Sequence, residues 1–257
     1  MLRTSIGSMS KTTLQKAFAV FLALLLWHIT AVVLDLGFLL VSPIDVAGRL
    51  LTIWFDPIFW PTIGNSLVRL ILGFSLAFCS ACIMAAIAGR FHFVEILLWP
   101  YIVTFTSVPL ISFIIVFLIW LSSSQLAVFI SFLVVFPVIY SNVLEGIKST
   151  DPQLLEMARL YKVPWGRRIL FIYLPNIKPF LVSSCSIAVG MAWRSVVAAE
   201  VLGIVDGSVG EQLYMSKIYL ETCELFAWSA VIVLISTILG KLFMYLLRGA
   251  FARLEKI

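Results

Sequence analysis

Six long apolar runs constrain the fold of this chain more than any other feature of its sequence. The runs are residues 17–41, 62–88, 94–121, 125–143, 174–199 and 226–247. About 20 apolar residues are enough for a helix to cross the hydrocarbon core of a bilayer, and a helix pairs all its backbone polar groups internally. The runs therefore predict an all-α polytopic membrane protein with six transmembrane helices in a single domain, 1–257.

The composition of the chain excludes the usual soluble classes. Hydrophobic residues make up 62% of the 257 residues and charged residues 12%, against roughly 45–50% and 25% in soluble domains. The net charge of +5 has to be interpreted together with the membrane topology. It does not by itself indicate a nucleic-acid partner.

The basic residues predict which side of the membrane each connection occupies. With the N-terminus inside, 14 of the 18 lysines and arginines fall on the cytoplasmic side. The four exceptions are Arg49, Arg69, Arg194 and Lys217. Because cytoplasmic segments carry an excess of Lys and Arg, this distribution predicts that both termini are cytoplasmic. The long segments 42–61 and 198–225 are then external, with Asp35 near the outer end of the first span and 198–225 interfacial or re-entrant.

Two features of the spans each allow two interpretations. Small residues recur every fourth position in the second span, at Gly73, Ala77, Ala81, Ala85 and Gly89. Such a stripe allows close helix contact, either within one bundle or between subunits. Pro109 interrupts the third span, where a proline must kink or break a helix. Broken helices line many transport pathways, but proline kinks also occur without a function.

A polar segment, 148–173, separates the fourth and fifth spans. Asp151 suits a helix N-cap and Pro152 the first helical position. Pro164 predicts that this helix stops at or before Val163, and a second amphipathic piece follows from Trp165. A polar helix–turn–helix between two spans predicts a docking site for a soluble partner.

This segment resembles the cytoplasmic loop of binding-protein-dependent ABC transporter permeases, whose pattern is E-A-A-x3-G-x9-I-x-L-P. The matching residues are Glu156, Ala158, Ile172, Leu174 and Pro175. Met157 stands in place of the first alanine and Lys162 in place of the glycine. That glycine ends the first helix in a left-handed conformation, which lysine adopts with strain. Either Lys162 accepts this strain or Pro164 stops the helix instead.

The resemblance implies a type I ABC importer permease (MetI-like) fold with a cytoplasmic coupling helix, in a bacterial inner membrane. It implies as partners two ATPase subunits on the coupling loop, a second permease copy or paralogue, and an external solute-binding protein. The chain lacks a G-x-x-x-x-G-K-[ST] phosphate loop. We therefore expect no cofactor of its own, with ATP and Mg²⁺ bound by the partner ATPase. The coupling residues implied are Glu156, Met157, Ala158, Lys162, Ile172, Leu174 and Pro175.

Two further segments resemble the branch of this family that imports nitrate, sulfonates and taurine. They are Ser66–Arg69 with Gly73, and residues 193–201. The resemblance implies a small anion as the solute. Charges near membrane spans are costly, so Arg69, Arg194 and Glu200, with Pro109, are candidate pathway residues. In one interpretation the arginines attract anions and Glu200 orients one of them. In the other, Arg194 and Glu200 pair or snorkel as structural residues.

The alternatives from other functional classes have weaker support. The sequence around Ser208 reads D-G-S-V-G and so lacks the first glycine of the nucleophile elbow of a serine hydrolase. No cluster of histidine, cysteine and carboxylate residues has metal-ligand spacing, so we predict neither catalytic nor metal-binding residues. An ion-coupled secondary transporter or channel is the remaining alternative, although the inverted repeats typical of that class are not evident.

Overall fold

A computed structural model describes residues 4–34 and 40–254 of the chain, and the helices it contains within those residues are joined by short connections. They are α1 (Thr4–Leu34), α2 (Pro43–Thr52), α3 (Phe59–Arg90), α4 (His92–Ser107), α5 (Leu110–Phe117), α6 (Ser123–Lys148), α7 (Pro152–Leu160), α8 (Trp165–Arg168), α9 (Leu174–Gly203), α10 (Val209–Ile218) and α11 (Thr222–Leu254). A 3₁₀ turn at Ile53–Phe55 follows α2, and a π-helix at Ile169–Tyr173 links α8 to α9. Asp35, at the outer end of the predicted first span, lies outside the described residues, as do Arg3, Glu255 and Lys256.

Five stretches of the described chain are long and apolar enough to cross a membrane as continuous helices. They are Thr13–Leu34, Phe59–Arg90, Ser123–Lys148, Trp165–Gly203 and Thr222–Gly249. Each overlaps one of the predicted spans. The remaining predicted span, 94–121, corresponds to α4 and α5, whose axes differ by 103°. That pair is either a sixth, broken span or a re-entrant loop.

The break between α4 and α5 follows from Pro109. Helix α4 ends at Ser107, and Val108 and Pro109 take extended backbone angles, with ψ of 135° and 133°. The ring of a proline disfavours the helical conformation in the residue before it, which explains the angles of Val108. The prediction that Pro109 breaks this helix is therefore confirmed.

The described chain divides into two compact units. The first contains the chain up to Phe59 together with Gln212–Val231. In it the ring of Phe59 contacts those of Trp54 and Trp228, with centroids 4.8 and 5.5 Å apart. Arg49 of α2 pairs with both Asp56 and Glu224. Burial alone would lower the pKa of Arg49, but its hydrogen bonds to Glu224 and Asp56 outweigh that effect and raise the pKa. The ion triad ties α2 to the beginning of α11.

The second unit contains Trp60–Glu211 and the chain from Ile232 onward, and the pair of α6 and α9 forms its core. The buried Trp193 of α9 donates a hydrogen bond from its indole nitrogen to the carbonyl of Ile232, at 3.0 Å. The small-residue stripe of α3 also packs inside this unit. A Cβ at Gly73 would collide with the Val128 carbonyl and Ser131 of α6, and one at Gly89 would collide with Ile147. The interpretation of this stripe as packing within the bundle is confirmed.

Candidate functional site

Helix α7 begins as the sequence predicts. The side chain of Asp151 accepts a hydrogen bond from the backbone N–H of Gln153 at 2.8 Å, and Pro152 is the first helical residue. An N-cap side chain satisfies a backbone donor that the helix itself leaves unpaired. Both of these predictions are confirmed.

The end of α7 shows that Lys162 takes the left-handed conformation that the glycine of the motif usually adopts. Lys162 has a φ of +51°, in the left-handed region. The N–H of Lys162 donates to the Arg159 carbonyl at 3.0 Å, and the N–H of Val163 donates to the Ala158 carbonyl at 2.9 Å. This pair of bonds defines a Schellman motif with Lys162 at the position that glycine usually occupies. Lys162 therefore adopts the left-handed conformation, and Pro164 follows outside the turn as the cap of α8.

Substitutions at Lys162 are expected to follow the order of their tolerance for positive φ. Lys162→Gly removes the Cβ strain and should raise stability by up to about 1 kcal/mol, although the added freedom of the unfolded chain offsets part of the gain. Lys162→Val should lower stability by about 1–2 kcal/mol, because a β-branched residue is least tolerated there. The measurement is the thermal midpoint of unfolding in detergent, which should be highest for Lys162→Gly, intermediate for the wild type and lowest for Lys162→Val. A lower midpoint for Lys162→Gly than for Lys162→Val would contradict this order.

Arg168 reinforces the end of α7 from the second half of the loop. Its Nε donates to the Val163 carbonyl at 2.7 Å, and its Nη2 donates to the Ala158 carbonyl at 3.1 Å. Bonds from a charged donor contribute about 1.5–3 kcal/mol each. Ala158 itself is fully buried, so its side chain belongs to the packing of the loop and does not form part of an exposed docking surface.

Asn176 joins the two ends of the loop, and the sequence reasoning missed it. Its amide nitrogen lies 2.8 Å from the Gly146 carbonyl, 3.1 Å from Ser149 Oγ and 3.2 Å from Thr150 Oγ1. These groups lie at the end of α6 and just beyond it, where helix carbonyls lack partners within the helix. The only signal in the sequence is a polar residue directly after Leu174-Pro175.

The remaining motif residues begin α9. Ile172 lies in the π-helix, Leu174 is the first residue of α9, and the N–H of Leu174 bonds to the Ile169 carbonyl five residues earlier. Pro175 has no N–H with which to continue an α-helical pattern. Pro175 is exposed, whereas Ile172 and Leu174 are half-buried. The I-x-L-P part of the motif thus shapes the junction between loop and span.

Exposed residues of α7 and its C-cap residue, Tyr161, form an apolar surface with one acid beside it. Leu154, Met157 and Tyr161 are spaced three and four residues apart, so they share one face of the helix, and all three are exposed. Glu156 is also exposed, and its carboxylate has no hydrogen bond or ion pair within the described residues. We call Leu154, Glu156, Met157 and Tyr161 the docking surface.

Glu200 lies in a buried polar cluster, which we define as Ser66, Arg69, Glu200 and Gly210. The Glu200 carboxylate is fully buried and accepts hydrogen bonds from Ser66 Oγ at 2.8 Å, Arg69 Nη1 at 3.0 Å and the Gly210 N–H at 3.3 Å. Gly210 approaches so closely that a Cβ there would overlap the Glu200 backbone. The cluster connects α3, α9 and the beginning of α10.

The interpretation in which Glu200 pairs with Arg194 is wrong. Arg194 is exposed, its Nε donates to the Gly190 carbonyl of its own helix at 3.0 Å, and it forms no ion pair among the described residues. Six residues along an α-helix correspond to about 600°, so Arg194 and Glu200 point about 120° apart. Glu200 therefore orients Arg69 instead.

Ser208 caps a helix. Its Oγ accepts a hydrogen bond from the Glu211 N–H at 3.1 Å, and the Glu211 carboxylate accepts one from the Gly207 N–H at 2.6 Å. This reciprocal pair resembles a capping box at the start of α10. The hydroxyl of Ser208 is buried in that role, and this explains the serine without any catalytic chemistry.

A cavity of about 640 Å³ lies beside the break between α4 and α5. Its lining comes from both sides of the break, at Thr106, Val108 and Leu110, and from α6 and α9. Arg194 and Ser195 are polar members of the lining, and the rest is mostly apolar or aromatic, including Phe105, Phe113 and Met191. The structure thus places Arg194 on the wall of the cavity beside the break between α4 and α5, whereas Arg69 lies with Glu200 in the buried cluster.

Comparison with known proteins identifies the family. A family model described as a binding-protein-dependent transport system inner membrane component matches residues 77–256, well over half of the chain. The putative aliphatic sulfonates transport permease protein SsuC of Bacillus subtilis is 28% identical over 179 residues, 69% of this chain and 63% of that protein. The nitrate import permease protein NrtB of Synechococcus elongatus is 31% identical over 146 residues, 56% of this chain and 52% of that protein.

A longer alignment and a solved structure agree with this match. The taurine transport system permease protein TauC of Escherichia coli is 24% identical over 219 residues, 83% of this chain and 79% of that protein. The matches to SsuC and NrtB span less than two thirds of those proteins. A chain from the crystal structure of an amino acid ABC transporter with histidines has a TM-score of 0.61 at 16% identity, and the match covers 79% of this chain and 97% of that one.

The structural likeness confirms the predicted fold class, an all-α polytopic fold of the type I ABC importer permease kind. The family match, which extends from the middle of α3 through the coupling motif to the end of α11, covers the residues that suggested this fold. On these findings the chain belongs to the family of binding-protein-dependent transport system inner membrane components.

Proposed function

We propose that this chain is the permease subunit of an ATP-driven importer and that its solute is a small anion. The family supports the first part. The names of similar proteins, which refer to aliphatic sulfonates, nitrate and taurine, support the second. The observation that carries the anion proposal is the position of Arg194 on the wall of the cavity beside the broken helix.

The two arginines of the predicted pathway have different electrostatic roles. Arg69 is neutralised by the buried carboxylate of Glu200, so it offers little positive field to a solute. Arg194 has no acidic partner among the described residues, and its planar guanidinium suits carboxylate, sulfonate and similar groups. The solute site proposed therefore consists of Arg194, Ser195 and the residues around the break at Pro109.

The partners proposed for the complex are those of an importer. Two ATPase subunits bind ATP and Mg²⁺ and contact the loop 148–173 from the cytoplasm, where both termini also lie. A second permease copy or paralogue completes the pathway, and a solute-binding protein delivers the anion from outside. The docking surface on α7 supports the ATPase contact, since an exposed apolar helix face of this kind favours binding to a groove on a partner.

Arg194→Gln is expected to lower solute uptake about tenfold, because one charge-assisted hydrogen bond to the anion is lost. Arg194→Lys should recover part of the uptake, since the positive charge remains. Assembly and basal ATPase activity should persist in both variants. Uptake of radiolabelled taurine, nitrate and an alkanesulfonate into proteoliposomes with the ATPase and binding protein provides the measurement.

Lys217→Gln is a matched control, because it removes one exposed positive charge from α10 outside the cavity. It should leave uptake unchanged. Normal transport by Arg194→Gln, or an equal loss in Lys217→Gln, would overturn the anion proposal. A loss of assembly in Arg194→Gln would show that the residue is structural.

A further inference from the structure

A second cavity lies beside the coupling loop and is lined by arginines. It has a volume of about 320 Å³ and lies between the end of α3, helix α7 and the segment 165–173. We call it the arginine cleft. Its lining residues are Arg90, Leu155, Arg159, Trp165, Arg168 and Tyr173.

The charges of the arginine cleft are not balanced within the cleft. None of its lining residues is acidic. The guanidinium groups of Arg90 and Arg159 have no hydrogen bond or ion pair within the described part of the chain, whereas Arg168 is held by the carbonyls of Ala158 and Val163. Three like charges around one small cavity repel each other, and a bound anion would remove that repulsion.

The shape and surroundings of the cleft favour a phosphate group on a lipid. Arginine binds phosphate oxygens through paired N–H donors. Trp165 and Tyr173, whose ring centroids are 6.3 Å apart, are the residue types enriched at the membrane–water interface. Ile169 and Phe171, on the same segment, are exposed and offer apolar surface to acyl chains. Basic pockets of this kind beside transmembrane helices bind anionic headgroups.

We propose that the arginine cleft binds the phosphate of an anionic phospholipid and thereby fixes the coupling loop to the end of α3. Arg90 comes from α3, Arg159 from α7 and Arg168 from α8, so one phosphate bridges all three elements. The proposal does not depend on which solute is transported.

The position of the cleft argues against an acidic side chain of the ATPase as its occupant. Leu155 and Arg159 are four residues apart and share one face of α7. Leu154, Met157 and Tyr161, the apolar part of the docking surface, lie on a different face, about a quarter turn or more away. A partner seated on this apolar part of the docking surface therefore leaves the cleft free.

The test measures lipid retention by native mass spectrometry of the transporter complex. The complex is released from nanodiscs of equal parts phosphatidylcholine and phosphatidylglycerol. The wild type should retain phosphatidylglycerol selectively. Arg90→Gln and Arg159→Gln should each weaken this retention about fivefold, and the double variant should combine both losses. Arg167→Gln, an exposed neighbour outside the cleft, should behave as wild type, and Arg159→Lys should regain part of the retention.

Three outcomes would overturn the proposal. One is equal phosphatidylglycerol retention in the wild type and the double variant when both have the same thermal midpoint. Another is a thermal shift of the lipid-free complex with inorganic phosphate, lost in the double variant, together with no selective retention of phosphatidylglycerol by the wild type, which would assign the cleft to free phosphate. The third is loss of the ATPase from the double variant with phosphatidylglycerol retention unchanged, which would assign the cleft to the partner protein.

Discussion

Replacing Arg69 with methionine is expected to lower the free energy of unfolding by about 3–5 kcal/mol, because Glu200 then becomes an unpaired charge in the interior of the protein. The Glu200 side chain has no exposed surface and that of Arg69 is only 13% exposed. Ser66 and the Gly210 N–H would still donate to the carboxylate, but these neutral donors cannot cancel its charge. Thermal and denaturant unfolding in mixed micelles measure the loss.

A double variant separates the lost charge pair from the lost side chain. Arg69→Met with Glu200→Gln removes both charges and keeps an acceptor for the Ser66 and Gly210 donors. It should therefore recover most of the stability, and the difference from the sum of the single effects gives the coupling energy. Arg194→Met is the control, since this exposed arginine has no acidic partner in the described structure, and it should change stability by less than about 0.5 kcal/mol.

This pair of measurements also assigns different roles to the two arginines. If Arg69→Met lowered the free energy of unfolding as little as Arg194→Met, the buried cluster would not be what holds α3, α9 and the beginning of α10 together. Arg69 would then again be a candidate pathway residue. The expected result makes the cluster structural. Ile204, which follows the end of α9, is a β-branched residue with a φ of +46°. A strained conformation of this kind persists only where the surrounding structure holds it in place, and this supports a structural role for the nearby cluster.

Local patterns in the sequence were sufficient to predict the five continuous apolar helices, the break in the remaining apolar run and the loop between α6 and α9. Apolar runs of bilayer length, the cap at Asp151 and the break at Pro109 each depend on residues close together in the chain. The structure bears out these predictions for the same reason, since helix starts, stops and breaks are decided within a few residues. The conformation of Lys162 was one of two local alternatives, and the Schellman hydrogen bonds settle it.

Contacts between distant residues could not be predicted in this way. Arg69 and Glu200 are 131 residues apart, and their meeting depends on the packing of α3 against α9. Arg194 was a candidate partner of Glu200 only because the two residues are close in the sequence. Its side chain points in a different direction around α9 from that of Glu200. Asn176 and Arg168 were missed for a similar reason, because each bonds to groups near or beyond the end of another helix, which come within reach only when the loop has folded.

Glu156→Lys is expected to abolish most ATP-driven uptake while the permease stays folded. Glu156 is exposed on α7 and has no partner among the described residues, so reversing its charge should change stability by less than about 0.5 kcal/mol. At an interface, a reversed charge placed against a complementary group costs several kcal/mol. We therefore expect release of the ATPase, or an ATPase that stays bound but no longer drives transport, as measured by co-purification and by uptake into proteoliposomes.

The control for this change is Glu145→Lys, which makes the same charge reversal at an exposed position near the end of α6, outside the docking surface. Its uptake should remain near that of the wild type. Met157→Ala tests the apolar part of the same surface and should weaken ATPase binding without affecting folding, because Met157 is exposed. Ala158→Asp is unsuitable for this purpose, since it buries a carboxylate in the loop. Full uptake by Glu156→Lys with the ATPase still bound would contradict the coupling role of α7. An equal loss of uptake in Glu145→Lys would show that the loss results from the change in net charge and not from the position of Glu156.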